Sequence, residues 1–351
     1  MHEHDTGAID LRSDTVTRPT DAMRLALASA PVGDDQFGED PSINELQERC
    51  AALLGKESGL WLPSGTMANQ VALKVLTRPG DDVVVSRQSH AVWHEAGASA
   101  ANAGVQMTEI GQKGSFTAEE FLAARKPRGH PLFPPTTLVE IENTHNRAGG
   151  VVVTLTEASE VCAAARELDI ATYLDGSRLW NASVATGQSV AELSWPFDVV
   201  SVSFSKGLGA PGGALLAGPR DVITRAIRSR RMLGGAMRQV GIFGAAALYA
   251  LDHHVERLAD DHINAGLIAG HLASLPQVDL DMTSVQTNIV IFNLRQEAIT
   301  AAAFVEAARL RGVLVVAFGP RTVRAVTHLD VTCDECSRAG AILAEVAAAP
   351  A

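Results

Sequence analysis

Three segments carry residue types whose order points to chemistry. In Ser203-Phe204-Ser205-Lys206-Gly207-Leu208-Gly209 a lysine follows directly on the β-branched run Val199 to Phe204. Ligand sites in parallel α/β sheets lie at the carboxyl ends of strands. A lysine in a dry, cationic pocket has a lowered pKa and condenses with a carbonyl as a Schiff base. Taken alone, the string reads as a solvated loop lysine. Tyr173-Leu174-Asp175-Gly176-Ser177-Arg178 also ends an apolar run, with Asp175 placed 31 residues before Lys206. An aspartate at that edge pairs with a protonated pyridine nitrogen and makes the ring a better electron sink. Asp-Gly by itself is equally a turn or a cap. Pro63-Ser64-Gly65-Thr66-Met67-Ala68-Asn69 is a strand–turn–helix junction. Its backbone N–H groups and the Thr66 hydroxyl make an anion site, or simply a cap. A phosphate cradle, a pyridine-nitrogen partner and a Schiff-base lysine, in that order, together specify pyridoxal phosphate (PLP).

These segments need a scaffold that brings strand ends together. Short apolar runs at Leu60-Trp61-Leu62, Val83-Val84-Val85, around Val105, Leu138 to Ile141, Ile170 to Leu174 and Val199 to Phe204 read as strands. Most are separated by ten to twenty residues of helical periodicity, which predicts an α/β domain on a mostly parallel sheet. Residues 1–40 are polar and read as an arm lying on something else. Residues 41–250 form the large domain and 251–351 a smaller α/β domain. Ser42-Ile43-Asn44-Glu45 matches a capping box, predicting a helix from there to about Leu54. A long helix is expected over about Val240 to Leu272, then a strand over Asn288 to Asn293, a helix from Thr300 and a strand over Val313 to Phe318.

Composition narrows the function classes. The chain has 351 residues, 46% hydrophobic and 20% charged, which is globular rather than disordered. Its net charge of −11 disfavours binding nucleic acid over a broad face. No apolar stretch approaches the roughly 20 residues that span a bilayer. The opening MHEHDTGAIDLRSD lacks an apolar core, so no signal peptide is expected. Four cysteines in such a chain fit a reducing cytoplasm. Cys333 and Cys336 form one CxxC pair without a second, so they read as a surface turn with two thiols rather than a zinc site. His2, His4, His253, His254 and His262 fall in the arm or on helix faces and receive no role. Arg228-Ser229-Arg230-Arg231 reads as a solvated helix face.

Several strings together carry a resemblance. They are Asp10-Leu11-Arg12-Ser13-Asp14-Thr15-Val16-Thr17-Arg18-Pro19, Gly33-Asp34-Asp35, Ser64-Gly65-Thr66, Glu142-Asn143-Thr144-His145-Asn146, Asp175-Gly176-Ser177-Arg178, Ser205-Lys206-Gly207-Leu208-Gly209, Gly235-Ala236-Met237-Arg238-Gln239 and Arg324-Ala325-Val326-Thr327-His328-Leu329-Asp330. On these the chain resembles the PLP-dependent L-threonine aldolase (β-eliminating lyase) family, from Ile9 to about Val331. The resemblance implies the aspartate-aminotransferase-like fold (PLP fold type I), with a seven-stranded, mostly parallel sheet. It implies Lys206 as the Schiff-base lysine and Asp175 as the pyridine-nitrogen partner. It places His90 against the cofactor ring and His145 as a second active-site histidine. Ser13, Arg178 and Arg324 would hold the substrate carboxylate, a task suited to guanidinium pairing. Gly65, Thr66 and Arg238 would contact the phosphate, with Arg238 open to serving a neighbouring subunit's site. A homo-oligomer, dimer or tetramer, is implied.

The implied reaction is retro-aldol cleavage of L-threonine, L-allo-threonine or a related β-hydroxy-α-amino acid to glycine and an aldehyde. Either His90 or His145 would serve as base. Four positions depart from the family pattern. Phe37 stands where members carry tyrosine, and His94 where they often carry an apolar or aromatic residue. Arg231 replaces a lysine and Ser177 an alanine. The first two leave room for a bulkier substrate such as L-phenylserine. Related PLP chemistry that breaks Cα–H, as in a β-eliminating lyase, racemase or transaminase, is the nearest alternative. An idle PLP-binding protein would have lost Lys206, His145 or an arginine, and none is lost. A metal-dependent D-threonine aldolase uses an unrelated barrel whose motifs do not match.

Overall fold

Val83, Val84 and Val85 are all fully buried, which requires both faces of their strand to be covered. The computed structural model, which describes residues 7–295 and 299–349, shows how. The strands are β1 (Ile9–Asp10), β2 (Ser58–Leu62), β3 (Asp82–Ser86), β4 (Gln106–Ile110), β5 (Thr136–Glu142), β6 (Ala171–Gly176), β7 (Val199–Ser203), β8 (Ala214–Gly218), β9 (Val278–Asp279), β10 (Ile289–Leu294), β11 (Val313–Leu314), β12 (Val316–Ala317) and β13 (Thr322–Val326). Seven form one sheet in the order β2-β8-β7-β6-β5-β3-β4. β4, β3, β5, β6 and β7 run parallel, whereas β8 is antiparallel to both of its neighbours. This is the mostly parallel seven-stranded α/β architecture of PLP fold type I.

Side chains alternate between the two faces with the strand period of two. On one face Leu60, Leu62, Val83, Val85, Leu138 and Tyr173 pack with Ala68, Val71 and Ala72 of the helix Gly65–Leu76. On the other, Val84, Val139, Ile141, Leu174 and Val200 pack with Val161, Cys162 and Ala165 of the helix Leu155–Glu167. Each fully buried aliphatic side chain contributes about 1.5–3 kcal/mol. Glu140 and Glu142 of β5 share the first face with Leu138. That face therefore changes from apolar to polar toward the carboxyl ends of the strands.

A second, antiparallel sheet runs β12-β13-β10-β9. Its apolar cluster joins Phe292, Phe304, Ile268 and Leu343, and it takes in Ile9 and Leu11. β1 pairs in parallel with β11, so the chain's first described segment is stitched to the C-terminal cluster. Residues 14–16 then turn toward the large sheet, and Met23 of the helix Asp21–Ala28 enters the large core.

Five local expectations are corrected. The helix Pro41–Leu53 is capped by Asp40, whose Oδ1 accepts from Ile43 N at 3.1 Å. Ser42 lies within its first turn, and its hydroxyl donates to Pro31 O instead. The segment 240–272 is two helices, Gly241–His253 and Leu258–Leu272. No glycine or proline marks that break; it falls where His254 turns inward to bond Leu208 O at 2.7 Å. Val313 to Phe318 forms two two-residue strands. In the basic run, Arg230 points inward, held by Asp35 at 2.6 Å and Trp61 O at 3.1 Å. Cys333 and Cys336 open the helix Cys333–Ala348 rather than a turn, and Cys336 is buried. β8 and β13 went unread in the sequence. His2 and His4 lie outside the described residues.

Candidate active site

Lys206 follows the end of β7, in a loop that folds back so that Gly209 N bonds Lys206 O at 2.8 Å. Gly209 has φ +75°, a left-handed conformation that favours glycine. The buried His254 holds the loop from outside through Leu208 O, and Thr17 bonds Lys206 O at 3.1 Å. The Lys206 ammonium makes no hydrogen bond or ion pair with any described residue. Burial and the charge of Arg178 push its pKa down to about 8.

Asp175 lies at the end of β6, fully buried. Its Oδ1 accepts from Ser177 N and Oγ at 3.0 and 2.7 Å, and its Oδ2 from Asn69 Nδ2 at 2.8 Å. Burial alone would raise its pKa. The charges of Lys206 and His90, with the bonds from Ser177 and Asn69, outweigh burial and hold it below the usual value. Asn69 belongs to a buried polar layer under the site. It also donates to Glu95 at 2.7 Å and accepts from the Tyr173 hydroxyl at 2.5 Å. Gln70 donates to the second Glu95 oxygen at 2.6 Å. Next to this layer, Glu140 is buried with neither oxygen bonded to a described residue. Burial, then the neighbouring carboxylates Asp175, Glu95 and Glu142, push its pKa well up.

His90 begins the short helix His90–Trp93 at the end of β3. Its backbone N–H donates to Glu142 at 2.8 Å, and its Nδ1 lies 2.9 Å from Glu95 Oε1. An ionised carboxylate only accepts, so Nδ1 carries the hydrogen and Nε2 is free. Burial lowers the His90 pKa, but Glu95 and Asp175 more than compensate, and the net shift is upward. His145 is buried, and its Nδ1 accepts from Ala148 N at 3.2 Å. The neutral ring therefore carries its hydrogen on Nε2, which lies 3.7 Å from Glu142 and has no bond of its own.

The two arginines assigned to a carboxylate differ. Arg178 is already paired in bidentate fashion with buried Asp14, at 2.7 Å from both Nε and Nη2. Arg324 donates Nη1 to Asn146 Oδ1 at 2.9 Å and Nη2 to Arg12 O at 3.0 Å, leaving a buried Nε without an acceptor. It has no carboxylate partner among the described residues, and burial followed by the charge of Arg178 lowers its pKa to about 10. Ser13 caps the turn Asp14–Val16, accepting from Thr15 N at 3.2 Å. Gly65 and Thr66 begin the helix Gly65–Leu76. Ser64 caps it by accepting from Met67 N, and the Gly65 and Thr66 amides point beyond its end. Arg238 stands apart: it is exposed and pairs with Asp34 at 3.3 Å. Phe37 is 76% exposed, and Arg231 bonds Gln36 beside it.

Sequence reasoning passed over Asp14, Asn69, Glu95, Glu142 and Tyr173. Each had a signal. Asp14 and Glu142 lie inside strings already singled out. Tyr173 precedes Asp175 by one strand period, Asn69 follows Thr66 by about a helical turn, and Glu95 follows His90 by five residues.

The donor set fits PLP. An unpartnered, deprotonating amine, an ionised buried carboxylate and the open N-terminus of a twelve-residue helix match its aldehyde, pyridine nitrogen and phosphate. Among the described residues no cluster of His, Cys, Asp or Glu is arranged to hold a metal ion.

A family model described as beta-eliminating lyase matches residues 10–295. The chain is 42% identical over 341 residues to a low specificity L-threonine aldolase of Escherichia coli O157:H7, covering 97% of each protein. It is 36% identical over 333 residues to low-specificity L-threonine aldolase 1 of Arabidopsis thaliana, covering 93% of each. Among solved structures, a Leishmania major threonine aldolase superposes with a TM-score of 0.82 at 19% identity, over 97% of this chain and 100% of that one. At that identity the likeness concerns the fold alone.

Proposed function

The chain belongs to the β-eliminating lyase family, and we propose that it is a PLP-dependent aldolase cleaving L-threonine, L-allo-threonine or a related β-hydroxy-α-amino acid to glycine and an aldehyde. The observation that carries this reading is the partly buried, unpartnered Lys206 amine beside an Asp175 held ionised. Bound PLP supplies a conjugated pyridinium that accepts the electron pair released when a bond at Cα breaks.

The chain's own residues do the rest. Lys206 would hold the cofactor through its aldehyde. A lowered amine pKa makes the free base available near neutrality. Asp175, fixed by Ser177 and Asn69, keeps the pyridine nitrogen protonated. Arg324, with an unused Nε and no acidic partner, takes the substrate carboxylate. Arg178, locked to Asp14, forms the second wall of that subsite and offers its Nη1. Fixing the carboxylate would set which bond at Cα is presented for cleavage. The β-hydroxyl proton passes to His90 Nε2, directly or through a water, and Glu95 stabilises the imidazolium from Nδ1. In its Ala148-fixed tautomer, His145 offers a donor and orients the hydroxyl.

We further propose that the protein acts in the cytoplasm as a homo-oligomer. Phe37, Met232 and Met237 are exposed, and Arg238 beside Met237 pairs with Asp34, three residues before Phe37; an interface on this side would bring Arg238 to a neighbour's phosphate. The test is the purified, PLP-loaded protein with L-threonine, L-allo-threonine and L-phenylserine. Equal yields of glycine and aldehyde support the reading; a keto acid and ammonia would replace it with β-elimination. Light scattering that shows a monomer would remove the oligomer.

A further inference from the structure

Arg147 follows the segment that carries His145 and Asn146, and nothing in the reaction above uses it. It is half-buried, and its guanidinium carbon lies 4.5 Å from the Trp93 ring centroid and 4.4 Å from that of Phe318. Its Nη2 donates to Phe318 O at 3.1 Å, and its Nε reaches Gln88 at 3.5 Å. No carboxylate pairs with it among the described residues, and Nη1 finds no acceptor. Two aromatic rings occupy its faces, so only the edge N–H groups remain to meet a ligand.

Arg147 connects to the site by two short routes. Phe318 also stacks near His94, with centroids 5.8 Å apart, and His94 lies 5.5 Å from His90. Arg324, assigned to the substrate carboxylate, lies over the same Phe318 ring at 4.4 Å. Arg147 also lines a hollow of about 430 Å³ whose lining includes the active-site His145, with Arg87 and Lys113. Arg87 spends its Nε on Gly111 O at 3.2 Å and lacks the two rings that orient Arg147, and Lys113 reaches Asp281 at 3.6 Å. The lining contains no acidic residue, in a chain of net charge −11.

We propose that this hollow is a subsite for an anionic terminus on the substrate's β-substituent, with Arg147 as its principal donor. The inference rests on the aldolase reading and names the substrate class: β-hydroxy-α-amino acids whose aldehyde half carries a carboxylate or another acidic group. His94 and Phe318 flank the β-substituent, and Arg147 selects its end. A guanidinium held by two rings keeps its fork oriented without a protein acceptor, so an acidic terminus pairs with it at little ordering cost.

The experiment compares β-(4-carboxyphenyl)serine with β-(4-methylphenyl)serine, which differ in charge but little in size. The PLP-loaded wild type should favour the carboxylate by about tenfold in kcat/KM, a partly solvated charge-assisted bond. The preference should shrink as salt is added. Arg147→Gln should abolish it, and Arg147→Lys should restore part of it, with both variants checked for an unchanged melting temperature. If both aryl substrates are cleaved without preference, or if Arg147→Gln retains the preference, the subsite is refuted while the aldolase reading stands. If neither they nor L-threonine yields glycine, the aldolase reading itself fails.

Discussion

Asp14→Asn tests how the site is held together. Asp14 is fully buried, holds Arg178 through two 2.7 Å bonds and accepts from Asn288 at 3.1 Å. The amide keeps the shape, removes the charge and turns one acceptor into a donor facing the guanidinium. Breaking one side of a buried ion pair costs about 3–5 kcal/mol, and the isosteric change belongs at the lower end. An unfolding entropy of about 2.1 cal/mol/K per residue amounts to about 0.7 kcal/mol/K for this length, so about 3 kcal/mol lowers Tm by about 4 °C. The pH dependence has a definite sign. The Arg178 charge and hydrogen bonds outweigh burial and hold the Asp14 pKa far below its ordinary value of 3.8. Its contribution is therefore complete above that value and is lost as the pH falls below it. Calorimetry should show the full gap between wild type and variant at pH 7 and a narrowing gap below pH 4. Released from Asp14, Arg178 also leaves its position, so KM for the amino acid should rise. A Tm change of less than about 1 °C at pH 7, with KM unchanged, would refute this account of the pair.

Glu140→Gln should act in the opposite direction. A carboxyl whose folded pKa is raised contributes most below its unfolded value of 4.5 and loses that contribution as the pH rises. The variant should match wild type near pH 4.5 and gain on it as the pH rises above that value; a difference in Tm that stays flat from pH 4.5 to neutrality would contradict it. Lys206 in the cofactor-free protein should react with an added aldehyde at a rate that rises through about pH 8, as followed by Schiff-base absorbance. A rise delayed beyond pH 10 would show that the amine is solvated. A disulfide reagent should release one equivalent quickly, from exposed Cys333. The buried Cys50, Cys162 and Cys336 thiols are pushed up to about 12 and should react only on unfolding.

The chemistry-bearing strings were legible because each lies at a strand end, where periodicity and turn residues both change. Parallel strands such as Val83–Val85 stood out as continuous apolar runs. β8, Ala-Leu-Leu-Ala-Gly, has no β-branched residue and declared itself only by pairing between β2 and β7. The polar layer of Asn69, Glu95 and Tyr173, with Glu140 beside it, was hidden because these residues come from separate elements. Sequence spacing gives no hint that Asn69 and Tyr173, 104 residues apart, share a hydrogen bond. The break at His254 was illegible for the same reason, since its cause is a bond to Leu208. The polar opening segment concealed Asp14, whose burial depends on Arg178 and Asn288 from distant parts of the chain.

The most direct test of the central claim is a paired measurement on wild type and Lys206→Ala, each incubated with PLP and then with L-threonine. The account predicts that the wild type shows the yellow lysine-bound cofactor and releases glycine and acetaldehyde in equal amounts. The variant should lose both the absorption and the cleavage. Undiminished cleavage by Lys206→Ala, or a wild type that binds the cofactor and releases a keto acid with ammonia, would contradict it.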